Sequence, residues 1–136
     1  GGELSRVMLA IRTVASTEDH GRTLVFDEVD AGIGGEAAER VGAKLHELAR
    51  HFQVICVTHL PQIAAYGSNH HRITKSVHHG RTTTVIDKLE DDARASEIAR
   101  MMTGTHVSGN VLQTAKELLS QEDKYPQEST NEAPEH

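Results

Sequence analysis

Five residues, Leu24-Val25-Phe26-Asp27-Glu28, constrain this chain more than any others. Three consecutive apolar side chains demand burial, and at this length they suit a parallel-sheet strand covered on both faces. Two carboxylates then emerge at the strand's C-terminal end, which is where open α/β sheets place ligands. Adjacent carboxylates repel each other unless a cation or distinct roles separate them. Mg²⁺ with phosphate ligands would supply the cation, and the second carboxylate could orient or deprotonate an attacking water. The plainer alternative, a solvated acidic turn after a strand, stays open on these five residues alone.

The flanking sequence builds a sheet around that strand. Leu4, Val7, Met8 and Ile11 recur at helical spacing and predict an amphipathic helix over about residues 3–15. The Asp19-His20-Gly21 stretch reads as a turn, and 23–26 as the first strand. A glycine-rich turn, Gly32-Ile33-Gly34-Gly35, then opens a helix with Ala37, Val41, Leu45 and Leu48 on one face. Glu36 and Glu39 in its first turn and Arg50 near its end suit the helix dipole. Residues 53–58 predict a second buried strand, closed by His59-Leu60-Pro61, with Pro61 starting a short helix over 62–66. This order implies a parallel βαβ unit. An antiparallel hairpin follows, 72–77 and 82–88 about a turn at Gly80, then helices over 93–102 and 111–119 separated near Gly104 and Gly109.

Composition limits what such a unit can do. The chain has 136 residues with 14 Lys+Arg against 20 Asp+Glu, a formal charge of −6. Its aromatics are Phe26, Phe52, Tyr66 and Tyr125, so it is poorly equipped to grip nucleic acid by bulk charge or base stacking. Its apolar runs fall far short of the roughly 20 residues that span a bilayer. Cys56 stands alone, which excludes an internal disulfide, favours a reducing, cytoplasmic setting and suits a core position better than a nucleophile. Residues 121–136 hold five acids against Lys124 and little apolar surface, and read as a disordered acidic tail after an ordered part, 1–120. The opening Gly1-Gly2-Glu3 reads as a helix start without a signal pattern, as in a piece of a longer protein.

Two further motifs join the acidic strand end. His59 closes the neighbouring strand, beside Asp27, where it could donate to a phosphate oxygen or to a water. Gly1 and Gly2 ahead of a helix offer backbone N–H groups to an anion. In this order and at these distances the three resemble the ATP-binding-cassette ATPases, and in particular bacterial DNA-repair members with an SMC-like head. Gly1-Gly2-Glu3 is similar to the end of the signature motif, Leu24 to Glu28 to the Walker B strand, and Asp30 to Gly34 to the D-loop. Val57-Thr58-His59 is similar to the switch-histidine segment. Gly80-Arg81-Thr82 and Glu97-Ile98-Ala99-Arg100-Met101-Met102 fit the same members, so the resemblance runs to about Leu119.

The resemblance implies the C-terminal half of a P-loop NTPase head using ATP and Mg²⁺. Asp27 would hold the metal, Glu28 would be the general base, and His59 would contact the γ-phosphate. Gly1 and Gly2 would meet ATP held by a partner head, with Asp30 and Gly32 lining that dimer contact. The implied partners are a second head, the N-terminal half of the head, and DNA through the full-length protein in repair of breaks; no membrane is implied. Where many cassette ATPases have Leu-Asp at the end of the D-loop, this chain has Ile33-Gly34. No G-x-x-x-x-G-K-[ST] sequence occurs in the chain, so the chain by itself is expected not to hydrolyse ATP.

Other chemistries compete. Asp27, Glu28 and Asp30 could hold two ions in a nuclease or phosphatase, although no further carboxylates close the second strand. Gly32 to Ala37 matches a relaxed dinucleotide fingerprint, but three acids would crowd the pyrophosphate. A non-catalytic interaction module is a third reading. His70-His71 and His78-His79 would face each other across the hairpin, an arrangement that could recruit zinc, whereas His46 and His51 lie five apart and miss the i, i+4 spacing of a zinc helix.

Overall fold

The computed structural model describes residues 2–18 and 21–120. Gly1, Asp19, His20 and the acidic tail at 121–136 lie outside the described residues. The order is α1 (Gly2–Ala15), β1 (Thr23–Asp27), α2 (Glu36–Leu48), β2 (Gln53–Val57) and α3 (Pro61–Ala64). It continues with β3 (His70–His78), β4 (Arg81–Leu89), α4 (Asp91–Thr103) and α5 (Gly109–Ser120). The predicted βαβ unit forms: β1 and β2 pair in parallel, from Thr23 opposite Gln53 to Asp27 opposite Val57. This register brings both C-terminal strand ends to one edge.

The core lies on one face of this small sheet. Leu24, Phe26, Val54 and Cys56 point inward and join Ile11 of α1 with Ala38, Val41, Leu45 and Leu48 of α2. Val41 is fully buried, worth about 1.5–3 kcal/mol of transfer free energy. Two expectations need correction here. The strands are covered on one face, not two: Val25, Ile55 and Val57 are exposed, because no described element packs on that side. On α2 the buried alanine is Ala38 and not Ala37, since the inward stripe follows 38, 41, 42, 45 and 48. Gly42 belongs to that stripe because a Cβ there would run into the ring of Tyr66, so α2 and the α3 segment approach backbone to side chain.

A second cluster holds the later helices. Ala65, Ile98, Ala99 and Ala115 are its buried centre, with Met101, Met102, Val111 and Leu112 packed around them. The helix ends follow local chemistry. Pro61 opens α3, Asp91 and Asp92 occupy the first turn of α4, and Gly104 ends it at φ 79°, a conformation that favours glycine. Arg94 of α4 donates to the carbonyls of Ala64, Ala65 and Gly67, tying this cluster to the chain that leaves α3.

The hairpin is longer than predicted, and its turn is tighter. His79 at φ 50° and Gly80 at φ 74° form a two-residue connection with both residues left-handed, which matches the strand twist. The register sets His70 opposite Leu89 and His78 opposite Arg81. The first histidine pair therefore starts β3, while His78 ends it and His79 lies in the turn, so the two pairs are at opposite ends of the hairpin and do not face each other.

Candidate functional site

The edge where β1 and β2 end carries most of the residues singled out from the sequence. Asp27 ends β1 and is exposed, directly across from Val57, which precedes His59 by two residues. Glu28 follows, also exposed, with φ 55°. A left-handed backbone at a glutamate is uncommon and costs on the order of 1 kcal/mol, so the surrounding structure must impose it. That structure is a run of turns in which Ala31 N–H donates to the Glu28 carbonyl and Ile33 N–H to the Asp30 carbonyl, each at 3.2 Å. The strain sits on the residue whose carboxylate leaves the sheet edge.

Asp30 is the hinge of the site. Its side chain is 5% exposed, and one oxygen, Oδ2, accepts two hydrogen bonds and lies against the His59 ring. The Thr58 hydroxyl donates at 2.6 Å, the His59 backbone N–H at 2.9 Å, and His59 Nδ1 lies at 2.9 Å. The Thr58 oxygen in turn accepts from Leu60 N–H at 3.0 Å. Burial by itself would raise the Asp30 pKa. The bonds from Thr58 and His59 and the charge of His59 outweigh it and hold the carboxyl below its ordinary range. Nδ1 sits beside Asp30, and Nε2 is the other nitrogen of a ring whose side chain is 76% exposed. The loop after β1 thus fixes the orientation of the histidine after β2.

The same loop reaches α1. Gly32, at φ 74°, lies so close to Glu3 that a Cβ would come within 3.2 Å of Glu3 Cγ. Gly2 opens α1 in open surroundings, where a Cβ would meet little besides the Arg6 guanidinium at 3.9 Å. The helix start, the post-β1 loop and the histidine segment are therefore neighbours through Glu3–Gly32 and Asp30–His59, whereas Gly1 lies outside the described residues.

Two sequence-based readings change with this geometry. The nuclease reading needs Asp30 to converge with Asp27 and Glu28, but its carboxylate is spent on Thr58 and His59. Among the described residues no three His, Cys, Asp or Glu side chains gather into a cation site. Thr58 also has a role that its type and position did not announce. Its hydroxyl bridges Asp30 to Leu60, a long-range pairing with no local sequence signature. Cys56, on the inward face of β2, has its thiol pushed up to about 11 by burial and the negative charges of Asp30 and Asp27, as suits a core residue.

The donor chemistry at this edge suits a hard cation: Asp27 offers a solvent-facing carboxylate, the ligand type that Mg²⁺ takes alongside phosphate oxygens. No helix among the described residues is long and apolar enough to cross a membrane.

Comparison with known proteins gives this geometry a context. No protein-family model matches the chain. The DNA repair protein RecN of Bacillus subtilis (strain 168) is 44% identical over 124 residues, 91% of this chain and 22% of the relative. RecN of Xylella fastidiosa (strain Temecula1 / ATCC 700964) is 50% identical over 121 residues, and that of Deinococcus radiodurans is 50% identical over 120. The chain spans about a fifth of the length of the curated relatives it matches. A solved structure from work on ATP-driven dimerization and DNA-stimulated activation of SMC ATPases superposes with a TM-score of 0.53 at 18% identity. The match covers 76% of this chain and 61% of that one. The chain is thus RecN-like in sequence over about nine-tenths of its length, and its α/β fold resembles that of the solved SMC ATPase structure.

Proposed function

We propose that this chain supplies the hydrolytic edge of a RecN-like ATPase acting in the repair of broken DNA. The observation that carries the reading is the Asp30 network, which locks the histidine after β2 to the loop after β1 beside two exposed carboxylates. Nothing in a solvated acidic turn calls for such a lock. In this reading Asp27 holds Mg²⁺, which when bound offsets negative charge on the phosphates. Glu28 orients an attacking water and accepts its proton. His59 Nε2 donates to a γ-phosphate oxygen when its ring is protonated, and Asp30 keeps that ring in place through Nδ1. Asp30 acts as a positioning residue, and its loop, with Gly32, lines the contact with a second head. Gly1 and Gly2 present the start of α1 to nucleotide held by that partner.

The remaining parts of the machine come from elsewhere in the full-length protein. A phosphate-cradling P-loop belongs to the other part of the head, and the exposed face of Val25, Ile55 and Val57 is where that part packs. The chain alone therefore does not hydrolyse ATP. Glu28→Gln in the full-length protein should lower turnover at least about 100-fold while Mg·ATP binding and nucleotide-dependent head association persist. Undiminished turnover, or turnover by this chain alone that the same substitution abolishes, would sink the proposal.

A further inference from the structure

The chain that leaves the histidine runs straight into α3, which has only 4 residues. Isolated helices shorter than about 12–15 residues are marginal in water, so tertiary contacts must hold this one. Its side chains reach both clusters. Ile63 is buried in the cluster beneath the sheet, and Ala65, just past the helix end, is buried in the cluster of the later helices. His59 precedes Pro61 by two residues, so whatever holds α3 also holds the backbone at the histidine.

Both ends of this segment are tied. At the near end Leu60 N–H donates to the Thr58 oxygen at 3.0 Å, and the Thr58 hydroxyl donates to Asp30. The Leu60 carbonyl accepts from the N–H groups of Ile63 and Ala64 at 3.2 and 3.0 Å. At the far end, each carbonyl from Ala64 to Gly67 meets a side chain from another helix. Arg94 of α4, 30 positions from Ala64 in sequence, places Nη2 3.4 Å from the oxygens of Ala64 and Ala65 and donates to that of Gly67. His46 of α2 has Nδ1 3.0 Å from the Tyr66 oxygen. A cation suits a helix C-terminus, where unpaired carbonyl oxygens gather negative charge. Among the described residues Arg94 has no carboxylate within ion-pair distance, so its half-buried guanidinium is directed to these carbonyls.

We infer that Arg94 is a positioning residue for His59: by tying the far end of the 60–67 segment to α4, it fixes the backbone from which the histidine projects. Asp30 meets the ring itself, and Arg94 acts on the chain behind it. The inference rests on the proposed hydrolytic edge for its consequence in turnover, whereas the placement of the ring is measurable without nucleotide.

Carbon–proton NMR of the His59 ring in the purified chain, assigned with His59→Gln, reads that placement. Arg94→Met keeps an apolar stem and removes the donors, and its His59 ring signals should move toward those of the urea-unfolded chain. Arg94→Lys restores a cation and should bring them part of the way back. Ile98→Val, at the fully buried centre of the same cluster, lowers stability without removing a donor and should leave the His59 signals in place. Thermal unfolding confirms that each variant folds. In the full-length protein Arg94→Met should lower kcat about 10-fold with KM changed less than about 2-fold, and Arg94→Lys should recover part of the loss. Unchanged ring signals in Arg94→Met overturn the inference, as does Arg94→Lys recovering nothing in either readout. An equal displacement in Ile98→Val also overturns it, since the effect would then be general loosening. If the signals move and kcat holds while Glu28→Gln abolishes turnover, the positioning role falls and the hydrolytic edge stands. Undiminished turnover in Glu28→Gln would instead strike the edge itself, a failure that the ring signals do not share.

Discussion

Replacing Asp30 by alanine tests the geometry of the site without invoking nucleotide. The substitution removes one oxygen that accepts two hydrogen bonds and lies 2.9 Å from His59 Nδ1. The His59 ring is largely exposed, so water can take over at Nδ1, and little free energy is lost there. The Thr58 hydroxyl and the His59 backbone N–H are less accessible, and their charge-assisted bonds contribute about 1.5 kcal/mol each. The expected loss is therefore about 2–3 kcal/mol, or about 10 °C in the unfolding midpoint of a domain this size. Asp30→Asn keeps the shape and one acceptor but loses the charge, and should cost about 1 kcal/mol. The pH dependence separates charge from packing. The folded-state pKa of Asp30 lies below its ordinary 3.8, so its stabilising contribution is complete above that value and fades as pH falls through the folded one. The gap between the native chain and Asp30→Asn, measured by urea unfolding, should thus be present above the ordinary carboxylate range and close in acid. A loss below about 0.5 kcal/mol for Asp30→Ala, or a gap that persists unchanged to pH 2, would refute the account of the network.

Two other perturbations probe the same edge. Glu28 is held at φ 55°, so Glu28→Gly should be more stable than Glu28→Ala by about 1 kcal/mol in thermal unfolding, because only glycine relieves the strain; alanine equalling or exceeding glycine would remove the strain from the argument. The Cys56 thiol, raised to about 11, should react at pH 8 about 100-fold more slowly with a thiol reagent than in the urea-unfolded chain, and comparable rates in the two states would place Cys56 outside the core.

The fold was legible where burial and local backbone chemistry acted together. The period of Leu4, Val7 and Ile11, the Pro61 helix start and the Gly80 turn each correspond to elements in the structure, with ends shifted by a few residues. Apolar content alone does not say what covers a strand. Leu24-Val25-Phe26 asks for burial on both faces, but burial on the second face depends on a packing partner, and no described element supplies one for Val25. Hairpin register was likewise unreadable from composition. Histidines near both ends of β3 look like potential neighbours until the two-residue turn at His79-Gly80 sets His78 against Arg81. The candidate site divides along the same line. Asp27, Glu28 and His59 could be singled out because a strand end has a predictable place in a parallel sheet. Their organiser could not, because Asp30 reaches Thr58 across 28 positions of sequence, and only the pairing of β1 with β2 brings those positions together. The strand register therefore does more than place two ends at one edge. By setting Asp27 opposite Val57 it puts the loop after β1 within hydrogen-bonding reach of the loop after β2. A slip of one residue would reverse the inward and outward faces of the strand and break the Asp30–His59 link in the same step.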